Sequence, residues 1–163
     1  MRGDRDAFSA IAEQSVDRCY ALAHRILRDP HRAQDATQQA LFGAWRDLPS
    51  LKSADRFDAW LYRLVVHACY VEARSRRRWT ARVRVMAGVR APDADDPAGA
   101  IAENEELEIA FNTLTPERRA VVVMHHHLGY SLVEIARTLG IPVGTARSRL
   151  HYAVRHLRAV LGR

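Results

Sequence analysis

The charge of this chain reverses abruptly near its middle. Residues 73–90 carry seven arginines and no acid, whereas residues 91–108 carry seven acids and no base. The junction, GVRAPDADDPAGA, places two prolines and two glycines among small and acidic residues. Such a stretch has too little apolar surface to offset the entropy of ordering it, and its prolines interrupt regular structure. Residues 88–99 are therefore predicted to form a flexible acidic linker. It divides the 163 residues into two small domains, 1–87 and 100–163. No strand alternation or internal repeat stands out on either side. The predicted fold is all-α.

The first domain reads as three helices. Phe8, Ile11, Ala12, Val16, Cys19, Ala23 and Ile26 recur at helical spacing and end near Arg28. Asp29 and Pro30 then form an N-cap and first-turn pair, since Asp accepts an orphan amide and Pro has none to lose. The second helix carries Ala33, Ala36, Ala40, Leu41, Ala44 and Trp45 on one side and stops at Pro49-Ser50. Ser53 is the expected cap of a long third helix that turns Phe57, Trp60, Leu61, Leu64, Val65 and Ala68 inward.

The second domain is predicted to hold four helices. Ile101, Leu107, Ile109, Ala110 and Phe111 mark the first, and Thr115-Pro116-Glu117 caps the next, which runs through Val121, Val122 and Met124. Residues 131–150, SLVEIARTLGIPVGTARSRL, then read as a helix-turn-helix. Ser131 and Glu134 have capping-box spacing. Val133, Ile135, Ala136 and Leu139 give the first helix an apolar side, Gly140 supplies a left-handed stop, and Pro142 prevents simple continuation. The final helix sets Val143, Ala146, Leu150, Val154 and Leu157 at core spacing. Between them lie Thr145, Arg147, Ser148, Arg149, His151 and Arg155, a face of hydrogen-bond donors suited to the major groove.

Charge supports a polyanionic partner. The net charge is +6, and residues 135–163 contain six arginines and no acid, a single-sign surface of the kind that attracts nucleic acid. Lys52 is the one lysine among 25 basic residues. Cys19 and Cys69 sit within apolar helical patterns and read as small buried hydrophobes. No signal peptide or membrane-length apolar run stands out, which predicts a cytoplasmic protein. His125, His126 and His127 invite a metal reading. Consecutive helical side chains diverge by about 100°, however, so the three do not converge on one ion. Neither a metal nor a cofactor is implied, and no serine, cysteine or carboxylate constellation suggests catalysis.

Two upstream segments sharpen the function. Residues 33–48, AQDATQQALFGAWRDL, punctuate small residues with Asp35, Gln38, Gln39 and Trp45. Residues 57–78, FDAWLYRLVVHACYVEARSRRR, interleave aromatic rings with a terminal arginine run, a pattern suited to single strands because rings stack on bases and guanidinium groups hold phosphates. Together with the run GTARSRL, in this order, the segments resemble the extracytoplasmic-function (ECF) sigma factors of bacterial RNA polymerase.

The resemblance implies that Asp35, Gln38, Gln39 and Trp45 bind core polymerase at the β′ clamp helices, the β flap being a further contact. It assigns −10 recognition and melting to Lys52, Arg56, Phe57, Trp60, Arg63, His67, Arg74, Arg76 and Arg77. It assigns −35 DNA to Thr145, Arg147, Ser148, Arg149, His151 and Arg155. The acidic linker would thread the polymerase cleft, and an anti-sigma factor is an expected further partner. Four positions depart from the family pattern: Gln39 replaces a usual glutamate, His67 a common asparagine, Val71 a common aspartate and Pro142 a frequent capping serine. A stand-alone helix-turn-helix regulator is the alternative reading, and a histidine-based metal sensor or enzyme a third.

Overall fold

Asp29 sets the first corner of the fold. Its carboxylate accepts the Arg32 amide at 3.1 Å, so helix α1 (Arg2–Leu27) gives way within two residues to α2 (Pro30–Asp47). A 3-10 turn over Leu48–Ser50 ends α2, and a second over Ala54–Arg56 leads into α3 (Phe57–Ala87). The computed structural model describes residues 2–87 and 105–162, and its described residues contain no strand. Residues 88–104, which hold the predicted linker and the predicted boundary at residue 100, lie outside the described residues, as does Ile101.

The three helices pack on one another through a row of alanines. Ala33, Ala36, Ala40 and Ala44 are each at most 2% exposed, and their small side chains let the neighbouring helices approach closely. Against them lie Cys19, Leu22, Ala23 and Ile26 of α1 and Leu61, Val65, Val66 and Cys69 of α3. The structure corrects the predicted α1 stripe. Its buried row is centred on Ser15, Cys19, Leu22 and Ile26, while Ile11 and Val16 lie on its flanks and remain over a third exposed. Ser53 makes no side-chain cap, because the 3-10 turn intervenes and the Arg56 amide bonds to the Ser53 carbonyl instead.

The second domain is α4 (Glu105–Asn112), α5 (Pro116–His126), α6 (Leu132–Leu139) and α7 (Val143–Val160). Thr115 caps α5, accepting the Arg118 amide. At α6 both halves of the capping box form: the Glu134 amide donates to Ser131 Oγ at 3.2 Å, and the Ser131 amide to Glu134 Oε2 at 2.8 Å. Gly140 turns the chain at φ 67°, letting the Ile141 amide reach back to the Ala136 carbonyl. A Cβ at this position would also meet Arg63 Nη2 at 3.4 Å. Ile135, Ala136, Leu139, Ala146 and Met124 fill the core, whereas Val133, Val143, Leu107 and Ile109, expected on apolar faces, stay exposed.

The two domains touch. Helix α1 packs on α5, and α3 packs on both α5 and α6, so one apolar cluster runs from Cys19 and Leu61 through to Met124 and Ile135.

Both cysteines are buried free thiols. Desolvation pushes the Cys19 thiol up to about 11 and the Cys69 thiol up to about 12. An unfolded chain releases these protons near the ordinary value of 9.0, so above it the native state binds more protons than the unfolded one. Stability is full below that pH and falls as pH rises toward the native values, by on the order of 1 kcal/mol per pH unit for each thiol. Urea melts at about pH 8 and about pH 10 are expected to show this loss, reduced in a Cys19→Ala/Cys69→Ala variant. A loss of equal size in both proteins would assign it to other groups.

Candidate functional site

Three exposed faces carry the residues singled out from the sequence. The first lies on α2, opposite its alanine row. Asp35, Gln38 and Gln39 are exposed there, and Trp45 is 39% exposed one turn beyond Phe42. Phe42, at 66% exposure, belongs to the same face. It went unread in the sequence, although its spacing of seven from Asp35 and four from Gln38 marks it. Gln39 Nε2 donates to Glu72 Oε1 of α3 at 2.6 Å. This bond sets a carboxylate of the adjoining helix beside Gln39 on the same face.

The second face follows α3. Trp60, Arg63, His67 and Arg74 recur at helical spacing on one side, with Trp60 half-buried against Phe57 at a ring distance of 5.9 Å. Val71, Arg74, Ser75, Arg78, Trp79 and Arg82 extend this row as a shallow groove. Trp79 and Arg82 carry the cation-and-ring pattern beyond the 57–78 segment. Lys52 and Arg56 are exposed on the turn before α3. Arg76 and Arg77 do not join the row. They line a separate groove of about 800 Å³ between α3 and the second domain, with Arg32, Arg84 and Arg119. Among the described residues its lining carries five arginines and no acid.

Electrostatics along the second face follow from crowding. Burial, helped by the Arg63 guanidinium, holds His67 below the ordinary histidine value, with the Leu139 backbone opposing them. His67 is therefore a neutral ring near neutral pH, able to accept as well as donate a hydrogen bond. Burial pushes the Tyr70 phenol up to about 12, against the pull of Arg149.

The third face is on α7. Arg147, Ser148, His151 and Arg155 are exposed together, opposite the buried Ala146 and Ala153. Tyr152, half exposed, adds a ring beside His151 at 5.6 Å and beneath Arg118. Thr145 and Arg149 are partly buried on the flank nearer the core, and Ser148 Oγ donates to the Thr145 carbonyl at 3.0 Å. Of the three histidines, His125 has its Nδ1 at 2.8 Å from the Tyr130 carbonyl and its ring edge-on to His126. Among the described residues no group of three histidine, cysteine or acidic side chains converges on a metal position, and no helix is long and apolar enough to cross a membrane.

Comparison with known proteins follows the same division. Residues 11–79 match the Sigma-70 region 2 family, and residues 104–157 match Sigma-70, region 4. The ECF RNA polymerase sigma factor SigE of Mycolicibacterium smegmatis is 31% identical over 168 residues, which cover 99% of this chain and 65% of SigE. SigL of Mycobacterium tuberculosis, another ECF RNA polymerase sigma factor, is 34% identical over 144 residues, covering 87% of this chain and 80% of SigL. The fold resembles that of the sigma factor RpoE from Bartonella quintana, solved in complex with the anti-sigma factor NepR. The TM-score is 0.71 at 24% identity, over 96% of this chain and 97% of RpoE.

Proposed function

Because the chain belongs to the ECF sigma factors of the sigma-70 family, we propose that it binds core RNA polymerase through α2 and reads a promoter in two places. Its role is promoter-specific transcription initiation, a task in which the polymerase supplies the chemistry. Asp35, Gln38, Gln39 and Trp45, with Phe42 as an apolar anchor and Glu72 as the adjoining charge, contact the clamp helices of the β′ subunit. The second domain meets the β flap. An exposed aromatic ringed by polar groups is the usual make-up of an interface centre, and Phe42 fits that description.

Two kinds of DNA are bound by two kinds of surface. Arg147, Ser148, His151 and Arg155 share one exposed helix face, which supports entry into the major groove at the −35 element. Thr145 and Arg149 flank that entry. An arginine donating to both acceptors of a guanine discriminates by about 1–3 kcal/mol, whereas phosphate contacts fix register only. The row Trp60, Arg63, His67 and Arg74, with Lys52, Arg56 and Phe57 at its head, suits the unpaired −10 strand. Arg76 and Arg77 hold backbone phosphate from the adjacent groove. The chain works in the cytoplasm and, once on polymerase, on the nucleoid, and an anti-sigma factor restrains it.

The observation that carries this reading is the co-occurrence of three exposed faces, on α2, α3 and α7, in one chain. A regulator acting apart from polymerase needs only the last. Run-off transcription with core polymerase tests it: adding the chain is expected to produce a transcript with a defined start. A chain that binds −35-type duplex yet never associates with core would instead be a stand-alone regulator.

A further inference from the structure

The groove between α3 and the second domain has two unlike walls. Arg32 of α2, Arg76, Arg77 and Arg84 of α3, and Arg119 of α5 supply the first. Guanidinium groups drawn together from three helices repel one another, and among the described residues no carboxylate in the lining offsets that repulsion. Arg119 is only 8% exposed, so an anion reaching it has little water to weaken the attraction. Thr115 and Pro116, the first turn of α5, line the same space and add the positive end of that helix.

The second wall is apolar, formed by Leu27 at the end of α1, Ile109 of α4, and Leu114 and Pro116 ahead of the α5 body. Ile109 is 44% exposed because it lines this groove and not a helix contact. Arg28 fixes α4 at the groove's edge. It is the one non-glycine residue with positive φ among the described residues, at 59°, and it forms an ion pair with Glu108 while its Nε donates to Asn112 Oδ1 at 2.9 Å.

Size and chemistry together select the occupant. A volume of about 800 Å³ is that of a small-molecule site. A DNA duplex is too broad to enter, and its backbone reaches only the rim, where Arg77 is exposed. An inorganic anion would meet the arginines and leave the apolar wall bare. A molecule with several phosphates at one end and a flat, weakly polar ring system at the other meets both walls. We propose that this groove binds a nucleoside polyphosphate, with its phosphates on the arginines and its base against Leu27, Ile109 and Leu114, and that the bound molecule withdraws Arg76 and Arg77 from promoter backbone. Only the second half rests on the reading of those two arginines as phosphate contacts. Nucleotide and promoter then compete for the free chain.

ATP and GTP are the probes, each titrated into the full chain at about 0.15 M ionic strength and followed by calorimetry. One molecule of at least one of them is expected to bind per chain, with inorganic tripolyphosphate about tenfold weaker and the nucleoside without measurable binding. Arg84→Glu, outside the residues assigned to DNA, is expected to weaken both kinds of phosphate ligand at least about tenfold. Ile109→Ser is expected to weaken the nucleotide several-fold and leave tripolyphosphate unchanged. By anisotropy on forked DNA carrying the −10 element of a promoter used in run-off transcription, nucleotide at about ten times its Kd should lower DNA affinity by up to about tenfold. Failure of both nucleotides to bind overturns the proposal, as does binding that Arg84→Glu leaves untouched in a natively helical chain. Equal affinity for nucleotide and tripolyphosphate overturns the base contact. Nucleotide bound in the groove with DNA affinity unchanged overturns the competition, whereas nucleotide binding by a chain that never binds the forked DNA upholds the site and faults the DNA assignment.

Discussion

Asp35→Arg is expected to abolish association with core polymerase while leaving the fold and the binding of −35 duplex intact. Asp35 is exposed on α2, so replacing it removes no core contact. In the complex, the substitution sets a cation against whatever basic group the carboxylate faced. Losing one partner of a buried, hydrogen-bonded charge pair costs about 2–5 kcal/mol, much of it the penalty of stranding the other charge. That corresponds to about a thirty- to several-thousand-fold loss of affinity. Anisotropy of the labelled chain titrated with core polymerase measures it, with far-ultraviolet circular dichroism as the control for folding. Undiminished core affinity would remove α2 from the polymerase interface. Equal loss of duplex binding would show that the substitution damages the whole molecule.

Ile135→Ala should have the opposite selectivity. Ile135 is fully buried in α6, at the centre of the helix-turn-helix. Truncating a buried isoleucine costs about 2–5 kcal/mol, set by how far the surroundings collapse into the cavity. A domain of about sixty residues commands only on the order of 3–9 kcal/mol in all, so the substitution removes a large share of it. Loss of −35 duplex binding and a lowered urea midpoint are expected, with core binding through α2 surviving. If duplex affinity is retained at full strength, α6 is not the support on which α7 depends.

The contrast between those two variants reflects what was legible in the sequence. Caps and corners were readable because each depends on a local chemical rule: Asp29 with Pro30, Thr115 with Pro116, the Ser131–Glu134 box, and Gly140 at its left-handed φ. The faces of α2 and α7 followed from helical spacing. Burial at the flanks did not. Ile11, Val16, Val133 and Val143 have apolar side chains at permissible angles, yet what covers a flank is set by neighbouring helices and not by the period. Contacts between distant segments were equally invisible. Nothing local pairs Gln39 with Glu72, or Arg28 with α4, and the reading of two separate modules gave no hint that α1 and α3 would lie on α5 and α6.

The shared core has a consequence for synthesis. Arg28 and Glu108 are about eighty residues apart in the chain, and the helices that cover α3 are made after it. At about 5–20 residues per second, several seconds separate the emergence of α3 from that of α6. Throughout that interval the nascent first domain presents Tyr62 and Tyr70 uncovered, beside a messenger that is itself a single-stranded polyanion. A message truncated before α4, or a protease cut between the domains followed by loss of the second, would leave such a fragment permanently uncovered. The cover over α3 is therefore written in the last third of the chain, and premature termination removes it while sparing α3 itself.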